Sequence, residues 1–270
     1  MTAPLTNFEI QQTVLAAGRK LLARCKEPDG YNVRKVQEIA DEFVPGSINV
    51  EEVEAFSDEN GIFIEEGVEG ICMPQESEEG KATIVLKSID NIKGIFSRVS
   101  DFVHEFTHGI QHKKQNGTQE IEEMNRRLHL NNEPLRIYSI VRGELAEECK
   151  ENPKFLQKDK KLKHFVLDSI KSRFYSRKID THEKVKAVCD TLLIRSDQEI
   201  KAYESEIAFA KEHGQKVDSE ILYIKAINEK IRRVVMDEVV DNKMRFLTSK
   251  PKEPLVVRIK SRLFGRRKAA

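Results

Sequence analysis

The stretch Ile95-Phe96-Ser97-Arg98-Val99-Ser100-Asp101-Phe102-Val103-His104-Glu105-Phe106-Thr107-His108-Gly109-Ile110 decides the reading of this chain. Ile95, Phe96, Val99, Phe102, Val103, Phe106 and Ile110 recur at spacings of three and four, which predicts a partly buried helix. Ser97 or Ser100 is expected to cap its start, and Gly117 to close the polar stretch that follows. His104 and His108 fall one turn apart and project from one face, so both imidazoles can reach the same metal ion. Glu105, beside the first histidine, then stands where it can take a proton from a metal-bound water. An unmetallated histidine pair would be awkward in so apolar a setting.

The run from His104 to His108 resembles the H-E-x-x-H signature of zinc metallopeptidases, the zincins. Extended to His104-Glu105-Phe106-Thr107-His108-Gly109-Ile110-Gln111, it is similar to small bacterial zincins, some of which are effectors injected into host cells. The resemblance covers roughly residues 82–115 and, more loosely, 196–213. It implies a Zn2+-dependent endopeptidase acting on a protein or peptide substrate. His104 and His108 would be ligands and Glu105 the catalytic base.

A catalytic zinc takes three protein ligands and keeps a fourth position for water. The metzincin extension would place glycine at 111 and histidine at 114, where this chain has Gln111 and Lys114. His112 continues the same face but stands about 12 Å from His104 along a straight helix, too far for one ion. That leaves a carboxylate from a later helix, the gluzincin-like solution, although no N-E-x-x-S-D-type helix is present. Two segments offer it. Glu144 lies in Arg142-Gly143-Glu144-Leu145-Ala146-Glu147-Glu148. Glu199 lies in Asp197-Gln198-Glu199-Ile200-Lys201-Ala202-Tyr203-Glu204-Ser205-Glu206, which resembles the E-x-x-A-Y helix of several small bacterial zincins. In that helix Ala202 would permit close packing near the metal, and Tyr203 would offer a hydroxyl to a developing oxyanion. Glu204, Glu148 and Asp197 stand behind these two as further carboxylates, and His112 and His129 are the nearest other histidines.

Composition bounds the rest. With 39% hydrophobic and 34% charged residues, the 270-residue chain reads as soluble and helix-rich. No stretch approaches ~18 consecutive apolar residues, so a spanning helix is excluded. Met1 to Ile10 lacks a basic n-region and an apolar core, which predicts a cytoplasmic protein or one exported without a Sec signal. Cys25, Cys72, Cys149 and Cys189 stand far apart and read as reduced thiols, with Cys72 and Cys149 buried. From Lys250 onward eight basic residues face the single acid Glu253, a net +7; against +1 for the whole chain, the body is −6. Such a tail would suit an anionic surface, whereas the acidic body argues against nucleic acid as a partner.

Helices are expected over 7–26, with Asn7 or Thr6 as cap, over 33–43, and over 48–56. Gly61–Glu65, Gly70–Met73 and Ala82–Lys87 read as short strands, with Ala82–Lys87 the expected edge for pairing with extended substrate. Helices then follow near 118–130, 135–150, 160–176, 180–195, 197–213 and 218–247. The expected architecture is α+β and mainly helical, with a small sheet preceding the active-site helix. It forms a single zincin-like domain over 1–250, made of a helical part (1–56), sheet and H-E-x-x-H helix (57–115) and a second helical part (116–250), followed by a basic tail (251–270). A reading from another class stands beside it: a helical interaction protein with a structural or degenerate zinc site, which binds rather than cleaves.

Overall fold

The computed structural model describes residues 5–27, 30–53, 70–74, 82–87, 94–114, 116–241 and 243–249. The expected strand at 61–65 and the basic tail from 251 lie outside these residues. The fold is α+β and mainly helical, with a small sheet before the histidine-bearing helix. The sequence reading treats 1–250 as one domain; the contacts group the chain into two compact units, 1–120 with 196–228 and 121–195 with 229–270.

In the first unit, helix α1 (Asn7–Arg24) starts at Thr6. The Thr6 hydroxyl accepts from the Glu9 N–H, and the Glu9 carboxylate accepts from the Thr6 N–H, so two orphan donors are satisfied reciprocally. Helix α2 (Val33–Phe43) is capped by Asn32, whose Oδ1 accepts from the Lys35 N–H. The next segment departs from expectation. Ile48–Val53 is strand β1, not a helix. Ile48 and Val50 are buried while Asn49 and Glu51 are exposed, a two-residue period that suits a half-buried strand.

Strands β2 (Gly70–Pro74) and β3 (Ala82–Lys87) complete a sheet of order β1-β3-β2. β1 runs parallel to β3 with Ile48 opposite Ala82, and β2 runs antiparallel with Ile71 opposite Val85. Ala82–Lys87 is therefore the central strand, a correction to its expected place at the edge. Its residues 82–86 are all buried, as befits a strand covered on both faces. Ser47 O accepts from the Ala82 N–H, so Ile48 and Val50 turn their backbone groups away from β3. There the Gln37 side chain of α2 meets both: its Nε2 donates to Ile48 O (3.0 Å) and its Oε1 accepts from the Val50 N–H (2.7 Å). A side-chain amide stands where a neighbouring strand would pair.

Helix α3 (Ile95–Lys114) buries Val99, Phe102, Val103, Phe106 and Ile110 completely in a core shared with α1, α2 and the sheet. Its first turn has the Arg98 N–H donating to Gly94 O, so Ser97 and Ser100 lie inside the helix and neither caps it. Two glycines permit the close approach. A Cβ on Gly18 of α1 would stand 2.6 Å from Val103 Cγ2, and one on Gly109 would stand 2.8 Å from Ile48 Cδ1.

The remaining helices are α4 (Asn116–Arg127), α5 (Glu133–Glu151), α6 (Asp159–Ser176), α7 (His182–Glu212), α8 (Ser219–Val240) and α9 (Arg245–Thr248), with a 3-10 turn at Phe155–Gln157. Gly117 falls in the first turn of α4 and ends nothing. The two helices expected at 180–195 and 197–213 are one. No glycine or proline interrupts α7, and Ser196, at the expected break, is fully buried. Gly214, at φ +64°, ends it in the left-handed conformation. The expected helix 218–247 is instead α8 and α9, parted by Lys243 and Met244 with positive φ. In the second unit Ile137, Val141, Leu145, Leu162, Ile170, Val188 and Leu192 are fully buried. Cys25, Cys149 and Cys189 are buried free thiols; the Cys72 side chain lies outside the described structure. Among the described residues no helix is long and apolar enough to cross a membrane.

Candidate metal centre

The site lies wholly within the first unit, between α3 and the second half of α7. The period of α3 that buries Phe102 and Phe106 against the core turns His104 and His108 toward α7. On α7, Ser196, Glu199, Tyr203 and Glu206 recur at three- and four-residue spacing and form one stripe. Ala202 beside them is fully buried and adds no bulk.

His104 Nε2 and His108 Nε2 are 3.3 Å apart. Glu199 Oε1 lies 3.5 Å from His108 Nε2, and Glu199 Oε2 lies 4.0 Å from His104 Nε2. One donor atom from each of the three residues falls within 4.8 Å of the others. Donors ~2.0–2.2 Å from a tetrahedral ion stand about 3.4 Å from one another, close to this spacing. The group can hold a metal ion. Its donor chemistry, two imidazole nitrogens and a carboxylate, suits a borderline divalent cation better than one that takes only oxygen.

The electrostatics favour a cation too. Burial pushes the Glu105 carboxyl up to about 7; His104 pulls it down, and the carboxylates of Glu199, Asp101 and Glu206 raise it further. For His104 burial works against the charged form, but the hydrogen bond to Glu206 and the charges of Glu105, Glu206 and Glu199 outweigh it and lift the imidazole to about 9. The carboxyl groups of Glu105, Glu199, Asp101 and Glu206 set a negative field around His104 that a metal ion would answer.

The Tyr203 ring, expected near the site, packs edge-on against His104 with centroids 4.5 Å apart. Glu144 sits on α5 in the second unit and accepts from Ser169 Oγ and the Arg173 guanidinium. Glu204 pairs with Lys225 and Asp197 with Lys201. His112 is half-buried farther along α3, and His129 is exposed in a left-handed turn after α4. Gln111, three residues past His108, is buried; its Nε2 donates to Gln198 O at 3.5 Å, tying α3 to α7.

Sequence reasoning gave no role to Glu206. Its Oε2 lies 3.2 Å from His104 Nδ1, and its Oε1 accepts from Ser100 Oγ at 3.2 Å. The available signal was its place seven residues beyond Glu199, two turns along the same helix face.

No protein-family model, curated protein or solved structure matches this chain. The reading of function rests on the residues themselves.

Proposed function

We propose that this chain is a zinc-dependent metallopeptidase that hydrolyses peptide bonds in a protein or peptide substrate. The observation carrying the reading is the convergence of His104, His108 and Glu199 at the donor spacing of one small cation, with Glu105 beside the first ligand. Zinc bound there supplies Lewis acidity for a scissile carbonyl and lowers the pKa of a coordinated water toward ~7. With the ion held by His104, His108 and Glu199, Glu105 would take a proton from the attacking water and return it to the leaving amine. Tyr203, whose ring packs against His104, would donate its hydroxyl to the oxyanion, a role typically worth ~2.7–4 kcal/mol in the transition state.

The three-ligand count also favours catalysis over a structural role. Structural zinc sites close with four protein ligands, whereas the described residues group three here, the number a catalytic site takes. The test is turnover of an unstructured protein such as casein by the zinc-loaded chain beside Glu105→Gln. Cleavage by the parent, abolished in the variant, supports the proposal; equal cleavage by both would assign it to a contaminating protease.

A further inference from the structure

We infer that Glu206, gripped in turn by Ser100, is the positioning residue that sets the tautomer and orientation of His104 for metal binding, an inference resting on the metal-centre reading above. A neutral imidazole carries one proton and offers one lone pair. His104 has a carboxylate oxygen at each side: Glu206 Oε2 at 3.2 Å from Nδ1 and Glu199 Oε2 at 4.0 Å from Nε2. Only the Glu206 carboxylate is within hydrogen-bond distance, and it draws the proton to Nδ1; the nearer neighbour of Nε2 is His108 Nε2 at 3.3 Å, itself a metal-ligating group in this reading. With the proton on Nδ1, donated to Glu206, the Nε2 lone pair faces His108 and Glu199 and is available to a cation.

The Glu206 carboxylate is itself held. Ser100 Oγ donates to Oε1 while His104 Nδ1 meets Oε2, so each oxygen has a donor and the carboxylate cannot turn without losing one. Ser100 and Glu206 are 7% and 6% exposed, which leaves water little room to replace either partner. Ser100 and His104 sit one turn apart on α3, and Glu206 and Glu199 two turns apart on α7. The same three-residue chain therefore also registers the helix bearing two ligands against the helix bearing the third. Glu206 touches neither substrate nor reacting atoms; it acts through His104.

The experiment is a competition titration of Zn2+ against a chromophoric chelator on the full chain, comparing wild type with Glu206→Ala, Glu206→Gln, Ser100→Ala and His108→Ala. Loss of such an outer partner typically weakens metal affinity ~10–100-fold, and that loss is expected for Glu206→Ala. Glu206→Gln should recover part of it, because the amide oxygen still accepts from Nδ1–H, and Ser100→Ala should fall in the same direction by less. Long-range 15N–1H NMR of the metal-free protein, taken above about pH 9 where His104 is neutral, should show the Nδ1–H form in the wild type, with Nε2–H appearing in Glu206→Ala. Should Glu206→Ala not fold, Glu206→Gln decides through its affinity and the His104 spectrum. Wild-type affinity in both Glu206 variants, with metal lost from His108→Ala, would overturn the positioning role and leave the metal centre standing. No zinc bound by the wild type would overturn both.

Discussion

Glu199 Oε1 stands 3.5 Å from His108 Nε2, joining two helices that are far apart in the sequence. Glu199 and Glu144 are the two carboxylates that the sequence offers as the third ligand, and their variants distinguish them. Glu199→Ala should lose most of the bound metal, whereas Glu144→Ala should retain it and instead release Arg173 and Ser169 in the second unit. Metal content of the two purified variants, measured side by side, checks this.

Glu105→Gln should bind metal normally and lose turnover by ~10²–10⁴-fold, the range general-base catalysis contributes. A kcat measurement at fixed, saturating zinc separates this from a defect in binding.

Without metal, both raised groups make stability fall as pH rises. Glu105 has a folded value of about 7 against an ordinary value of 4.5, so its contribution is present below 4.5 and lost by about 7. His104, at about 9 against 6.5, contributes fully below 6.5 and loses that contribution as pH climbs through 9. The metal-free protein should therefore melt progressively lower between about pH 5 and pH 9 from these two groups. Zinc requires neutral His104, so binding near pH 7 should release protons. Calorimetric titrations in buffers of different ionisation enthalpy report that release directly.

How much of this was legible follows from which interactions are local. The pattern of α2, with Asn32 before Val33–Phe43, and the apolar run of β3 carry their structure within a few residues. The histidine pair does too, since one helical turn fixes its geometry. At 48–56 the expected helix gives way to strand β1 because Glu51-Glu52 interrupts the alternation after only Ile48 and Val50, leaving a short pattern that fits either period. β3 moved from edge to centre because strand order depends on which strands pair, which no local pattern records. Glu144 and Glu199 both lie on helices rich in acid, and spacing alone cannot tell which helix packs on α3. Glu206 was hidden for the same reason: its role exists only across the α3–α7 contact.

The Gln37 amide offers a test of the sheet. Gln37→Leu keeps the bulk but leaves Ile48 O and the Val50 N–H unmatched at the outer side of β1. It should cost about 1–3 kcal/mol by urea denaturation, and light scattering should show whether the opened edge also promotes association.

Gly18 and Gly109 should respond differently to alanine. At Gly18 the new Cβ meets the stiff, β-branched Val103 at 2.6 Å and the Phe209 ring at 3.0 Å, so α1 must shift, at a cost of about 1–3 kcal/mol. At Gly109 it meets the terminal Cδ1 of Ile48, which can turn aside. Thermal melts of Gly18→Ala should fall well below those of Gly109→Ala.

The central claim is most directly tested by the metal content of the purified 270-residue chain, by inductively coupled plasma mass spectrometry, beside His108→Ala. About one zinc per chain in the wild type, lost in the variant, is the result expected of a single site at His104, His108 and Glu199. A wild type that holds no zinc after reconstitution, or a His108→Ala variant that holds as much, would contradict it.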